Sequence, residues 1–287
     1  EKGSCLTAVN VSTLVSDKLH AYESREKDFF LDAVIGGFNS EVSMATSTLC
    51  SLKGLPSVSY ASTMRALSNK QRFPGFSRTA PSSSSAALAM VYIVLEFEWR
   101  RVGLLHVDTE WGQSMVMDIS RFAEDKGVEI LATGAYINDD IVSIDNAMER
   151  LRQSGARIFI FVDVSTKFSL GYILDSAERH GIGASSKHVW LAWEENKNPE
   201  AALALGAEKT GVPIEILRRS LQGWLNVGVN ADAVANDKLA LAFAETPPSV
   251  LYHPVICPSP LGECAAALHE TGSSYLTVYA AFAYDCV

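Results

Sequence analysis

The sequence has little positive charge. Its 287 residues include 24 lysines and arginines against 33 aspartates and glutamates, which gives a formal net charge of −9. A surface that binds nucleic acid or an anionic membrane needs a basic excess, because it must neutralise phosphate groups. We therefore exclude nucleic acid and the membrane surface as partners of this chain.

Long apolar runs are also missing. The best candidate, residues 86–97, is shorter than the roughly 20 residues that span a bilayer, and it contains Glu96. The first residues lack the basic and apolar segments of a secretory signal, so the chain is either cytosolic or begins after a signal. Residues 274–287 read as a helix without a stop signal, which favours a fragment of a longer protein.

Cysteines are few, and their spacing does not define a metal site. Five cysteines cannot form a dense disulfide scaffold and leave one unpaired at best. Cys257 and Cys264 flank a proline-rich turn that suits a short disulfide-bridged loop. His253 and His269 could add to them to form a zinc site, but the spacing matches no common zinc module. We therefore favour a disulfide or free thiols, and we expect no cofactor and no metal.

Enzyme signatures are absent from the sequence. There is no dinucleotide-binding Gly-x-Gly-x-x-Gly after a strand, no phosphate-binding loop and no Gly-x-Ser-x-Gly elbow. The acidic pairs 139–140 and 194–195 are adjacent in sequence, so their side chains diverge, which is typical of solvated loops. His106 could act as a base, but a histidine with satisfied hydrogen bonds near a strand end is the more common case. These patterns predict a protein that is not an enzyme.

The sequence does contain a regular alternation of strand-like and helix-like segments. Such alternation is the signature of a parallel sheet covered by helices, so we predict an α/β fold. The predicted strands are 31–35, 57–60, 101–107, 129–136, 157–162, 188–193 and 221–227, and the predicted helices are 5–27, 41–52, 83–98, 112–126, 141–153, 166–180, one from about 201, and 231–244.

Small polar residues follow the first two predicted strands. Asn39 and Ser40 come after strand 31–35, and residues 61–63 (Ala-Ser-Thr) come after strand 57–60. Carboxyl ends of parallel strands lie at one edge of a sheet, where helix N-termini present free N–H groups that suit a carboxylate. The competing hypothesis is that Ser40 and Thr63 only cap helices, which is what such residues most often do.

Three blocks of sequence resemble a known family. VIGGFNSEVS (34–43), LPSVSYASTMRALSNKQRFPGFSRTAPSS (55–83) and FEWRRVGLLHVDTEWGQS (97–114) are similar in order and spacing to the receptor ligand-binding region of class C G-protein-coupled receptors, guanylate cyclase receptors and bacterial amino-acid-binding proteins. SLQGWLNV (220–227) and YAAFAYDCV (279–287) resemble the family's return strand and closing helix.

The resemblance implies a two-lobed clamshell, the Venus flytrap or periplasmic-binding-protein type I fold, in which each lobe is a mainly parallel sheet flanked by helices. It assigns residues 1–99 to lobe 1 without its opening strand, 100–221 to lobe 2, and 222–287 to an incomplete return to lobe 1.

The resemblance also implies a ligand site. Ser40 falls on the serine that binds the α-carboxylate of an amino acid, and Thr63 on a hydroxyl residue that helps to hold the head group. Ala61 falls on a position that contributes through its backbone, and Ser62 lies between them in the same loop. Trp111 replaces the tyrosine that contacts the ligand from the second lobe.

Two positions depart from the family pattern. Ser83 stands where glutamate-type receptors have an aspartate near the ligand ammonium, and Trp193 stands where the second lobe supplies another acid. A buried ammonium needs charged hydrogen-bonding partners, although Trp111 or Trp193 could partly compensate by cation–π contact. The hypotheses left open are an α-amino acid, a carboxylate ligand without a strong amine, and no ligand.

The expected function is therefore that of an extracellular ligand-binding domain of a membrane receptor. A small amino-acid-like or carboxylate ligand would bind between the lobes and signal by lobe closure. We expect a homodimer or heterodimer through lobe 1, attached to the plasma membrane only by segments outside this chain. The alternatives are a soluble solute-binding protein of a transporter and a ligand-free dimerisation module.

Overall fold

The computed structural model describes residues 33–163, 166–193 and 199–227. The described residues form two compact units that divide between Pro81 and Ser82. The helices expected at 5–27 and 231–244 and the closing helix lie outside the described residues. The lobe boundaries expected at 99/100 and 221/222 stay a prediction.

The first unit is built on a small parallel sheet. Strands β1 (Val34–Ile35), β2 (Ser57–Ser59) and β3 (Phe76–Arg78) lie in that order, and Val34 pairs with Ser57, which pairs with Phe76. Helix α1 (Ser40–Leu52) connects β1 to β2, and a short 3-10 helix covers 65–68. The sheet therefore brings the ends of β1 and β2 to one edge, as the sequence predicts.

The second unit begins with helix α2 (Ser83–Glu96), which leads into a five-stranded parallel sheet. The sheet order is β5-β4-β6-β7-β8, with the register Gly103 to Phe159 and Phe159 to Trp190 across its centre. The strands are β4 (Arg101–Val107), β5 (Glu129–Tyr136), β6 (Ile158–Val162), β7 (Val189–Trp193) and β8 (Leu225–Val227).

Helices cover both faces of this larger sheet. They are α3 (Glu110–Lys126), α4 (Ile141–Gln153), α5 (Thr166–Arg179), α6 (Pro199–Thr210) and α7 (Ile214–Leu221). One face packs against α4 and α5 in a core that includes Phe159, Phe161 and Trp190. Helix α2 contacts α3 and β7, while α6 and α7 pack on α5. The predicted α/β fold with parallel sheets is confirmed.

The helix expected from about residue 201 is present as α6, which ends at Thr210, where Gly211 adopts a left-handed φ of 72°. The sequence did not predict the next helix, α7, and the strand expected at 221–227 is longer than the one observed. Helix α7 then starts after Pro213, which cannot donate an N–H but fits the start of a helix. The strand expected at 221–227 shrinks to β8, because α7 reaches Leu221 and Gly223 turns the chain with a φ of 94°.

Candidate ligand-binding site

Three buried serines converge on the carbonyl oxygen of Gly37, just after β1. We call Ser43, Ser59 and Ser62 the hydroxyl cluster. Their Oγ atoms lie 3.2, 2.7 and 2.9 Å from that oxygen, and the Oγ atoms of Ser43 and Ser62 are 2.7 Å apart. A side chain at Gly37 would clash, because its Cβ would lie 2.0 Å from Ser43 Oγ. The cluster ties β1, α1 and the segment after β2 into one edge.

Ser40 is the first residue of α1, and its hydroxyl bonds across to the loop after β2. The backbone N–H of Met64 donates to Ser40 Oγ over 3.1 Å, so the hydroxyl retains its own proton for another acceptor. Asn39 occupies the N-cap position but makes no side-chain capping bond. The first-turn amides of α1 therefore lack a side-chain cap from Asn39. This hydrogen bond joins Ser40 to the loop and not to an amide of its own helix, and the role of Ser40 as a ligand contact stays a prediction.

The loop residues 61–63 have three different environments. The backbone N–H groups of Ala61 and Ser62 donate to Ser59 Oγ over 3.2 and 2.9 Å. The hydroxyl of Ser62 is buried and belongs to the hydroxyl cluster, so it orders the loop from inside. Thr63 is only partly buried. Of the three, Thr63 has the environment best suited to direct ligand contact.

Sequence reasoning missed Arg78, whose side chain forms hydrogen bonds to this loop. Its guanidinium donates to the carbonyl oxygens of Met64 (2.8 Å) and Ser62 (3.4 Å) and to Ser68 Oγ. Partial burial lowers the pKa of Arg78 from its ordinary value. The sequence signal that could have identified this role is an arginine at the end of a strand within a segment otherwise rich in small hydroxyl residues.

Trp111 is the second residue of helix α3, which follows β4 in the second unit. Thr109 caps α3 by accepting a hydrogen bond from the N–H of Gly112 over 3.1 Å. Glycine is required next to Trp111, because a Cβ on Gly112 would lie 2.1 Å from the carbonyl oxygen of Val107. The residue Trp111 is 7% exposed. The sharp start of α3 thus fixes the backbone that carries the tryptophan.

Ser83 and Trp193 also belong to the second unit. Ser83 is the first residue of α2 and is 3% exposed, and Trp193 is the last residue of β7. Ser83 Oγ and Trp193 Nε1 are buried and have no hydrogen-bond partner within the described part of the chain. Their roles as ligand contacts, like those of the other predicted site residues, stay predictions.

The candidate base and acidic pairs have ordinary structural roles where they are described. His106 Nδ1 lies 2.9 Å from the carbonyl oxygen of Val107 and is buried. Asp139 pairs with Lys209 over 2.6 Å, and Asp140 caps α4 through the N–H groups of residues 142 and 143. The pair 194–195 lies outside the described residues.

Metal and membrane features can be assessed only over the same ranges. Within residues 33–163, 166–193 and 199–227, no group of three or more His, Cys, Asp or Glu is arranged to hold a metal ion. Cys50 is a free, buried thiol, and burial raises its pKa. The histidines and cysteines of the alternative zinc site lie outside these ranges. None of the helices described above has both the length and the apolar character needed to cross a bilayer.

Comparison with known families identifies the family of this chain. The profile described as the receptor family ligand binding region matches residues 5–237 of the 287. The chain belongs to this family. The resemblance seen in the three sequence blocks is therefore confirmed.

Curated relatives of the chain are class C G-protein-coupled receptors. The chain is 33% identical over 181 residues to a probable metabotropic glutamate receptor, mgl-1, of Caenorhabditis elegans, which covers 59% of the chain and 18% of that receptor. It is 33% identical over 163 residues to the human extracellular calcium-sensing receptor (56% and 15%) and 29% identical over 198 residues to human taste receptor type 1 member 3 (66% and 22%). The chain thus spans about a fifth of the relatives it matches.

Proposed function

We propose that this chain is the extracellular ligand-binding domain of a membrane receptor and that its ligand is a small carboxylate or amino-acid-like molecule. The observation that carries the proposal is Ser40, buried at the start of a helix whose N-cap side chain makes no capping bond, within a chain of the receptor ligand-binding family. A helix N-terminus with free N–H groups and an available hydroxyl proton suits an anionic oxygen.

The carboxylate is bound in the first unit. It accepts the proton of the Ser40 hydroxyl and lies at the positive end of the α1 dipole. Thr63 supplies a second hydroxyl from the loop that Arg78 and the hydroxyl cluster hold in place. Because Ser40 Oγ accepts a hydrogen bond from the N–H of Met64, helix α1 and the loop are already held together before the ligand binds. This lowers the entropic cost of ordering the site on binding.

Signalling follows from closure of the second lobe, with Trp111 as its aromatic contact to the ligand. A ligand shifts the equilibrium towards the closed form only as far as it binds that form more tightly. The receptor would form a dimer through its first lobe and reach the membrane through segments outside this chain. The metabotropic glutamate receptor relative supports an amino-acid-like ligand, and the receptor relatives support a function other than catalysis.

Calorimetric titration of the purified chain with L-amino acids and small carboxylates tests this function. Against a ligand that binds, Ser40→Ala should weaken affinity by about tenfold or more, because it removes a charge-assisted hydrogen bond worth about 1.5–3 kcal/mol. Thr63→Ala should weaken the same binding.

The matched control is Thr48→Ala, since Thr48 lies on the exposed side of α1 and its hydroxyl donates to the carbonyl oxygen of Met44 in the same helix. Circular dichroism should show an intact fold in all three variants. Unchanged affinity in both Ser40→Ala and Thr63→Ala would rule out the site. A chain that binds none of the ligands would support the alternative of a dimerisation module.

A further inference from the structure

Three neighbouring strands of the second unit carry cations where they begin, at the amino edge of the sheet. Arg101 is the first residue of β4, Arg157 directly precedes β6, and Lys187 lies two residues before the start of β7. The sheet places β4, β6 and β7 side by side. Because adjacent strands are about 4.8 Å apart, the three cations are spread over about 10 Å. We call Arg101, Arg157 and Lys187 the basic edge.

The register of the sheet fixes the face on which Arg157 lies. Ile158 pairs with Val189, and the N–H of Val189 donates to the carbonyl oxygen of Arg157 over 2.9 Å. His188 therefore lies beside Arg157, and its ring stacks on Phe159 with centroids 5.8 Å apart. Because side chains alternate along a strand, Arg157 is on the same face as Phe159, which is the face covered by α4 and α5.

The positive charge of the basic edge is poorly compensated. None of the ion pairs formed among the residues that the structure describes involves Arg157 or Lys187. Arg101 contacts Glu129 over 3.4 Å, but the two side chains are 66% and 65% exposed, and pairs in water contribute little. Burial lowers the pKa of His188, and the charge of Arg157 lowers it further. The charge of Arg157 thus acts on its neighbour.

Carboxylates on the two helices of this face are already engaged. On α4, Glu149 pairs with Arg152 over 2.5 Å. Arg179 of α5 contacts both Asp145 of α4 and Asp175 of its own helix over 2.8 Å. Because each of these carboxylates has an arginine partner, an anion that neutralises the basic edge has to come from another molecule.

Lys187 has a backbone conformation that lysine rarely adopts. Its φ of 65° and ψ of 32° lie in the left-handed region, where glycine or asparagine is usual. The geometry of the turn therefore does not call for a lysine, and the protein keeps one at a conformational cost. A requirement for positive charge at this edge accounts for the residue.

The distribution of charge favours a linear polyanion. One small oxyanion cannot contact three cations spread over about 10 Å, and a single exposed charge pair contributes little. A flat membrane or a DNA duplex would also approach four exposed acids at the same end of the unit, which lie at the ends of α2 and α3 on the other side of the sheet: Glu96, Glu98, Glu124 and Asp125. A flexible chain with several negative groups can follow the face of α4 and α5 and avoid them.

We propose that the basic edge binds a sulfated polysaccharide. Guanidinium and ammonium groups form charge-assisted hydrogen bonds to the oxygens of such anionic groups. Polymers of this class occur in the extracellular space, and the inference rests on the proposed function only for that location. The surface itself uses residues of the second unit alone, so it is independent of the ligand site at Ser40.

Calorimetric titration of the purified chain with heparin oligosaccharides tests the proposal. Binding should saturate at about 0.15 M NaCl and weaken steeply as salt is added, because salt screens exposed charges. Arg157→Ala and Lys187→Gly should each weaken binding by about threefold to fivefold. Glycine accepts the φ of residue 187, so Lys187→Gly removes the charge without straining the turn. Arg157→Lys keeps the charge and should retain most of the affinity.

The matched control is Arg72→Ala, because Arg72 is an exposed cation of the first unit and lies over the ring of its neighbour Phe73. Absence of heparin binding would overturn the proposal, and so would equal weakening in Arg72→Ala and Arg157→Ala, which would indicate unspecific attraction. Duplex DNA or phosphatidylserine vesicles that bind more tightly than heparin, with binding lost in Arg157→Ala, would overturn the choice of partner. Each of these outcomes leaves ligand binding at Ser40 unaffected, since that binding is measured without heparin.

Discussion

Replacing Gly171 with alanine should destabilise the second unit, although the same change usually stabilises a helix. Gly171 in α5 and Gly206 in α6 are both buried, and a Cβ added to Gly171 would lie 2.3 Å from the Cα of Gly206. Carbon atoms in contact are ordinarily about 3.5–4.0 Å apart, so the two helices would have to separate by more than about 1 Å.

The two opposing effects can be compared in size. Alanine in place of glycine inside a helix gains about 1 kcal/mol from backbone entropy. Overpacking typically costs about 1–3 kcal/mol, and here the upper value applies because the nearest atom is backbone and cannot rotate away. The net expectation is a loss of about 2 kcal/mol in the free energy of unfolding.

Urea denaturation monitored by tryptophan fluorescence measures this loss. Trp190 and Trp224 stack in the core of the same unit with ring centroids 4.9 Å apart, so their fluorescence reports its unfolding. With an m value of about 1–3 kcal/mol/M, the midpoint should fall by about 1 M. Gly206→Ala should have a similar effect. The double variant should lose less than the sum, since both changes disturb one contact. A higher urea midpoint for Gly171→Ala would refute the reasoning.

Arg78→Ala should cost about 1–3 kcal/mol, because it leaves the buried carbonyl of Met64 without its charged donor. Thermal melting should show a lower Tm, with Arg78→Lys intermediate, and a loss no larger than that of Ser68→Ala would contradict the role of Arg78. Tyr136→Phe should cost about 1.5–3 kcal/mol by removing a donor from the buried carboxylate of Asp163. Burial and the neighbouring Asp163 raise the pKa of Tyr136 well above 10. The contribution of Tyr136 to the free energy of unfolding is therefore complete below pH 10 and decreases above pH 10, because the tyrosine of the unfolded chain ionises there. Stability measured from pH 8 to 11 should fall less steeply in the phenylalanine variant, and equal slopes would contradict this assignment.

Much of the second unit could be predicted from the sequence because its elements have strong local signals. Strands β4 and β5 and helix α4 have the bounds that their apolar patterns predict. Helix α7 could not be predicted, because it has only eight residues and its position depends on packing Leu217 against α5 and α6. Short elements of this kind are set by tertiary contacts, which a local pattern does not contain.

The site was only partly predictable for a different reason. The proximity of the loops after β1 and β2 follows from parallel strand order, whereas the hydrogen bond from the Met64 N–H to Ser40 Oγ was not predicted. The role of Arg78 could not be predicted, because two of its three acceptors are backbone carbonyls, whose positions side-chain identity does not reveal. The hydrogen bond that Ser62 donates to a backbone carbonyl oxygen could not be predicted for the same reason.

The hydroxyl cluster has a consequence for how this family can vary in evolution. Ser43, Ser59 and Ser62 share one acceptor, the carbonyl oxygen of Gly37, and Ser43 also bonds to Ser62. Replacing one of the three with an apolar residue changes the hydrogen-bonding options of the other two. Positions 43, 59 and 62 should therefore covary among homologous sequences, and position 37 should stay glycine wherever residue 43 carries a hydroxyl.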